Sequence, residues 1–78
     1  MPFVLNKKNL GIAIRQLRVQ HGLSQEELAD KSGLHRTYIG SVERGERNIA
    51  LDNMIKVSEA LNCKVSEIIV LAENMEEF

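Results

Sequence analysis

The sequence predicts an all-α fold of five helices, and three observations lead to that prediction. Apolar residues recur at the i, i+3, i+4, i+7 spacing that lines one face of an α-helix. Glycines and one asparagine stand where these runs end, as helix terminators commonly do. The β-branched residues are scattered, and no alternating apolar run is bounded by hairpin turn pairs.

The first two helices are predicted from apolar spacing and from their terminal residues. Helix 1 covers about Lys7 to His21 and stops at Gly22, which suits the left-handed end of a helix. Ser24 and Glu27 form a capping box, in which each side chain satisfies a free backbone donor of the other residue. Helix 2 therefore begins at Gln25 and lasts to about Ser32, where a glycine follows.

Three further helices follow by the same reasoning. Helix 3 spans about Arg36 to Arg44, after a three-residue turn of Gly33, Leu34 and His35. Helix 4 covers about Leu51 to Leu61, with Leu51, Met54, Ile55 and Leu61 on its apolar face and Asn62 as its terminator. Helix 5 carries Val65, Ile68, Ile69 and Ala72, and we expect residues 73–78 to form a frayed tail.

Length and composition exclude several classes of protein. A chain of 78 residues, 44% hydrophobic and 27% charged, predicts one globular domain over residues 1–78. The lone Cys63 excludes an internal disulfide, and with two histidines it cannot complete a four-ligand zinc site, so no metal or cofactor is predicted. No apolar run is long enough to span a membrane, and Met1 to Leu5 does not resemble a signal peptide. We expect a cytoplasmic protein.

Charge is distributed unevenly along the chain. The net charge of -1 gives no hint of an anionic partner, but residues 1–22 hold four basic residues and no acidic one. Residues 49–78 hold two basic and six acidic residues. The sequence therefore predicts one basic end that could face an anion and one acidic end that could not.

Helices 2 and 3 and the turn between them match a known structural motif. Two short helices joined by a three-residue turn that contains glycine describe a helix-turn-helix, here over about residues 24–44. The second helix of such a motif enters the major groove of DNA.

The residues of this motif strengthen the interpretation. The segment LSQEELADKSGLHRTYIGSVERGERN, residues 23–48, strongly resembles the Cro and phage-repressor type of helix-turn-helix domain, the XRE family. Among its members the chain looks most like the controller proteins of restriction-modification systems. The resemblance covers nearly the whole chain and implies a five-helix, lambda-repressor-like domain that binds double-stranded DNA and regulates transcription.

Candidate DNA-binding residues follow from the motif and the resemblance. Arg36 and Thr37 head the recognition helix, where arginine can read guanine O6 and N7 together and threonine can reach several bases. Gly40 has no side chain and would allow the DNA to approach the recognition helix closely. The remaining candidates for phosphate or base contacts are Gln25, Tyr38, Ser41, Arg44, Arg47 and Asn48. The sequence does not decide the role of Tyr38, because its ring could pack in the core or its hydroxyl could extend to DNA.

Arg18 and Glu43 are interpreted as structural residues. The resemblance implies that they form a buried ion pair joining helix 1 to the recognition helix. Neither histidine nor cysteine is placed beside Glu43 by helical spacing, so no catalytic residue is predicted and an enzyme is the least expected reading.

A second subunit is expected for two reasons. The predicted cap positions His35, Ala50 and Lys64 hold poor N-cap residues, which lowers stability. In addition, one recognition helix reads too few base pairs for a unique site. We expect a homodimer on a pseudo-palindromic operator, with residues 51–73 as the dimerisation region. The interface residues predicted on helix 5 are Val65, Ile68, Ile69 and Leu71.

Two alternatives remain open from the sequence. The chain could be a general XRE-type repressor or an antitoxin-like regulator that responds to a protein partner. It could also be a protein-interaction module that does not bind DNA, but such a surface would replace the polar run of helix 3 with aromatic and aliphatic residues. No small-molecule ligand is expected.

Overall fold

The computed structural model describes residues 5–75, and within that range it contains five α-helices and no strand. The helices are α1 (Lys7–Gln20), α2 (Gln25–Ser32), α3 (Arg36–Glu43), α4 (Leu51–Ala60) and α5 (Val65–Glu73). The all-α prediction is confirmed. Helices 1 to 4 agree with their predicted ranges to within one residue at either end, and α5 contains all four apolar residues assigned to helix 5. The expectations for Met1 to Val4 and for residues 76–78 of the tail lie outside the described residues.

The first two helices begin at side-chain caps. The Asn6 side chain accepts a hydrogen bond of 2.8 Å from the backbone N–H of Asn9 at the start of α1. At α2 the Glu27 N–H donates to the Ser24 hydroxyl at 3.0 Å, and the Ser24 N–H donates to the Glu27 carboxylate at 2.9 Å. Hydrogen bonding to Ser24 lowers the pKa of Glu27, and the bond from the Ser24 backbone contributes more than the bond from its side chain. The predicted capping box is confirmed.

The later helices begin without such caps, as the sequence predicts. His35 and Ala50 make no side-chain cap bond to α3 and α4. At α5 the backbone N–H of Lys64 donates to the Glu67 carboxylate at 3.3 Å. This is only half of a capping box, because a lysine ammonium has no lone pair with which to accept the return bond.

One core joins all five helices. α1 packs on α3 and α5, and α2 packs on α3 and α4. The buried apolar residues of the core are Ala13, Ile14, Leu28, Ala29, Ile39, Val42, Met54, Val57, Leu61, Ile68 and Ala72.

α1 and α3 approach each other at Gly11. A Cβ atom built on Gly11 would collide with the carbonyl oxygen of Val42 and would lie 2.8 Å from the carbonyl oxygen of Glu43. Only a residue without a side chain allows the two helix backbones to come this close. Gly11 thereby sets the distance between α1 and the end of α3.

Several expectations about α4 and α5 need correction. Ile68, predicted at the subunit contact, is completely buried in the core of the single chain and has no surface left for a partner. Leu51 and Ile55, expected on the apolar face of helix 4, are exposed. Val70, by contrast, is 53% exposed in the single chain.

The end of α5 is more ordered than expected. The helix includes Glu73, and the Asn74 side chain caps it by donating to the carbonyl oxygen of Val70 at 2.7 Å. Met75 packs against the core. The frayed tail therefore does not begin at residue 73.

Within residues 5–75, none of the helices combines the length and the apolar character needed to cross a bilayer.

Candidate nucleic-acid interface

The turn between α2 and α3 presents the start of α3 at the surface. Gly33 adopts a left-handed conformation with φ 74°, which costs glycine nothing, and the N–H of Leu34 donates back to the carbonyl oxygen of Ala29 at 3.1 Å. The chain then enters α3 at Arg36. Arg36 and Thr37 are exposed, whereas Ile39 and Val42 on the opposite side of α3 are buried in the core.

A buried carboxylate fixes α3 against α1 and α2. Arg18 donates from Nε to Glu43 Oε2 at 2.7 Å and from Nη2 to Glu43 Oε1 at 3.0 Å. Its Nη1 donates to the carbonyl oxygen of Leu23 at 2.8 Å. The Glu43 side chain is 2% exposed and that of Arg18 is 11% exposed. The structure thus contains the ion pair that the resemblance implies.

Gln25 belongs to the same network. Its Nε2 donates to Glu43 Oε1 at 3.0 Å, so the side chain at the start of α2 is tied to the end of α3. A Cβ atom built on Gly40 would lie 3.6 Å from Gln25 Oε1 and 3.1 Å from Arg44 Nη1. The groups that lie close to Gly40 are therefore two side chains of this chain. The sequence suggests instead that DNA approaches there.

Ser41 is also engaged within the chain. Its hydroxyl donates to the carbonyl oxygen of Tyr38 at 2.8 Å, and the residue is half-buried. Only the oxygen lone pairs of Ser41 remain for an outside partner, which would have to be a donor.

Arg44 is paired with a nearby acid. Its Nε and Nη2 donate to the Glu46 carboxylate at 2.9 and 3.1 Å, in a two-bond arrangement that lies in solvent. The hydrogen bond between them raises the pKa of Arg44 and lowers the pKa of Glu46. Glu46 uses two of the five guanidinium N–H groups, so Arg44 can still donate to a phosphate, but the adjacent carboxylate offsets part of the positive charge that would attract one.

Tyr38 is half-buried, and both its ring and its hydroxyl contact other residues of the chain. The ring packs against the core, and the guanidinium carbon of Arg47 lies 5.5 Å from the ring centroid, within the range of a cation–π contact. The hydroxyl accepts a hydrogen bond of 3.1 Å from Nδ2 of Asn53 on α4. Asn48, in the loop that follows, is exposed. Sequence reasoning missed Asn53, because no local pattern links residues 38 and 53.

The described residues do not form a metal site, and their one cysteine is a free thiol. No group of three or more histidine, cysteine, aspartate or glutamate side chains within residues 5–75 is placed to hold a metal ion. Cys63 is a half-buried free thiol. Burial is the main cause that raises its pKa, and the charge of the Glu67 carboxylate raises the pKa to a smaller extent. A raised pKa makes this thiol less reactive than an ordinary one.

The five-helix bundle, the short turn and the exposed polar start of α3 define a helix-turn-helix DNA-binding regulator. The family model described as helix-turn-helix matches residues 14–68, and the chain belongs to this family of DNA-binding transcription regulators.

Several relatives share most of the chain. It is 51% identical over 63 residues to the control protein C.SmaI of Serratia marcescens, a match that covers 81% of this chain and 75% of the relative. It is 45% identical over 60 residues to the control protein C.BamHI of Bacillus amyloliquefaciens, covering 76% and 74%. The crystal structure of the restriction-modification controller protein C.AhdI from Aeromonas hydrophila superposes with a TM-score of 0.78 at 47% identity, covering 80% of this chain and 94% of that one.

Proposed function

We propose that this regulator acts as a homodimer on a pseudo-palindromic operator and serves as a controller protein of a restriction-modification system. The observation that carries the DNA contact is the exposed pair Arg36 and Thr37 at the start of α3, an element fixed by the buried Arg18–Glu43 pair. The likeness to C.SmaI and C.BamHI supports the controller role. Selection of bound duplexes from a random DNA pool tests the proposal, because it reveals the half-site and its repeat together.

The proposed contacts divide into reading and positioning. Arg36 and Thr37 meet base edges in the major groove, where an arginine fork matches guanine O6 and N7. Arg44, Arg47 and Asn48 follow the end of α3 and meet backbone phosphates, which fix the register of the protein on the duplex. Gln25, Tyr38 and Ser41 complete the proposed DNA-facing set, and Gln25 acts through the backbone donors at the start of α2 because its amide is held by Glu43.

The Arg36→Ala variant is expected to bind its selected site more weakly by about 1 to 3 kcal/mol and to lose preference at one base position. The physical reason is the loss of a two-bond contact to one base pair. The measurement is a titration against a series of duplexes that carry each base substitution in the half-site.

Lys64→Ala is the matched control for Arg36→Ala, since it removes one exposed positive charge at the start of α5. We expect its base preferences to equal those of the unmodified protein. If the Arg36→Ala profile across the substituted duplexes also equals that of the unmodified protein, Arg36 does not read a base.

The apolar surface left by the fold supports a dimer. Leu51 and Ile55 on α4 and Val70 on α5 are exposed in the single chain. Val65, Ile69 and Leu71 are half-buried, so each keeps some surface for a partner. A self-complementary patch of this kind forms two-fold dimers. The two recognition helices would then meet half-sites centred about 34 Å apart, one turn of the duplex.

The Val70→Asp variant is expected to be monomeric at micromolar concentration, because it places a charge in the proposed contact. Val70 is a sharper test than Ile69 or Leu71, because those two residues also pack against the core and aspartate there would destabilise the single chain itself. Sedimentation velocity measures the outcome. The control is Val19→Asp on α1, the same change at a position 59% exposed against 53% for Val70. A dimeric Val70→Asp protein would place the contact elsewhere, and a monomeric unmodified protein would remove the dimer from the proposal.

A further inference from the structure

We propose that Asn53 is a positioning residue for DNA binding, which holds the Tyr38 hydroxyl so that its proton is directed to an acceptor on DNA. The inference rests on the proposed function, and specifically on contact between Tyr38 and DNA. It assigns a role to α4, which the reading and phosphate contacts proposed above do not use.

The contact joins two helices that carry different parts of the surface. Asn53 lies on α4, fifteen residues after Tyr38, and its Nδ2 donates to the tyrosine oxygen at 3.1 Å. In addition, the Arg47 guanidinium carbon lies 5.5 Å from the centre of the Tyr38 ring. The tyrosine is thus restrained at its ring and at its hydroxyl before any partner arrives.

The direction of the hydrogen bond decides what the hydroxyl can do next. An amide N–H can only donate, so the Tyr38 oxygen receives this bond on a lone pair and its own O–H proton remains available. Phosphate oxygens are acceptors only, as are guanine O6 and N7. A hydroxyl that already accepts a hydrogen bond is also polarised toward donating one, because hydrogen bonds in a chain strengthen each other.

Restraint before binding has a second effect. A side chain that becomes fixed only on association loses rotational freedom at that step, and this loss weakens binding. Since Tyr38 is held by Asn53 and Arg47 in the free chain, less freedom remains to be lost.

A double-mutant cycle tests the inference on the full chain and a duplex obtained by selection from a random pool. The dissociation constants of four proteins are compared: unmodified, Asn53→Ala, Tyr38→Phe, and the double variant. Asn53→Ala is expected to weaken binding about 2- to 10-fold when Tyr38 is present, as loss of one hydrogen bond predicts. In the Tyr38→Phe background the same change is expected to have no effect, because there is no hydroxyl to position.

A spectroscopic measurement accompanies the cycle. The chain contains one tyrosine and no tryptophan, so the tyrosine band of the near-ultraviolet circular dichroism spectrum reports on Tyr38 alone. Asn53→Ala should reduce this band in the free protein while leaving the helical signal unchanged. An unchanged tyrosine band would overturn the claim that Asn53 orders Tyr38.

The remaining outcomes separate this inference from the proposed function. Equal weakening by Asn53→Ala in both backgrounds would overturn it, because Asn53 would then act independently of the hydroxyl. No weakening in either background would overturn it too. Tyr38→Phe binding as tightly as the unmodified protein would remove the Tyr38 contact and the inference with it, while Arg36 could still read DNA. If the unmodified protein selects no sequence at all, the proposed function itself fails.

Discussion

Glu43→Ala is expected to lower the free energy of unfolding by about 3 to 5 kcal/mol, the cost typical of breaking a buried ion pair from one side. Without the carboxylate, the Arg18 guanidinium stays in a site where its side chain is 11% exposed and has no anion to offset its charge. The amide of Gln25 loses its acceptor as well. Chemical denaturation of the unmodified protein and of the Glu43→Ala variant measures the difference in their free energies of unfolding.

Glu46→Ala is the matched control for Glu43→Ala. Each glutamate receives two hydrogen bonds from one arginine, but the Arg44–Glu46 pair lies in solvent, where such pairs contribute little to stability. We expect the denaturation midpoint of Glu46→Ala to stay close to that of the unmodified protein. Equal destabilisation by the two substitutions would show that burial of Glu43 is not the source of the effect.

Gly11→Ala is expected to destabilise the fold by about 3 kcal/mol, at the upper end of overpacking effects. The added Cβ would meet the carbonyl oxygens of Val42 and Glu43, with the second at 2.8 Å. Both obstructing atoms belong to the backbone and cannot rotate away, so α1 and α3 must separate. The loss would appear although alanine is intrinsically better than glycine in a helix by about 1 kcal/mol. The measurement is the free energy of unfolding from denaturant titration.

Gly40→Ala is the control for Gly11→Ala, because Gly40 also lies inside a helix. Its added Cβ would meet the end of the Arg44 side chain at 3.1 Å and that of Gln25 at 3.6 Å, and flexible side chains can shift by this amount. We expect stability that is unchanged or raised by up to about 1 kcal/mol. If the Gly11 and Gly40 variants prove equally stable, close packing of α1 on α3 does not explain Gly11.

Local features of the sequence predicted the helices well. The range Gln25–Ser32 follows from the Ser24–Glu27 capping box at one end and from Gly33 at the other, and these signals act between residues close in the chain. Asn62 likewise adopts the left-handed conformation expected of a terminator, with φ 52°. Such signals depend little on the rest of the fold, so they can be read without it.

The local sequence does not determine which apolar residues of a helix are buried. Leu51, Ile55 and Met54 all fit the spacing of an amphipathic helix, yet only Met54 among them is buried. On α5 the neighbours Ile68 and Val70 are both aliphatic, and packing against α1 decides that Ile68 is the core residue. Spacing identifies faces of a helix, but the position of the neighbouring helices determines which face is covered.

Two residues that shape the candidate site were missed for different reasons. Gly11 carries a signal, since a glycine inside a helical pattern costs about 1 kcal/mol relative to alanine and therefore stands out. Asn53 carried none, because its bond to Tyr38 depends on how α4 is placed beside α3.

The free surface presents arginines that already have partners. Arg44 holds the carboxylate of Glu46, and Arg47 lies over the ring of Tyr38. In the proposed complex, a phosphate beside Arg44 would therefore meet a guanidinium whose charge Glu46 already offsets in part. A count of the basic side chains on this face would overestimate its affinity for DNA of arbitrary sequence. A larger share of the binding free energy would then come from the proposed base contacts, which distinguish one sequence from another.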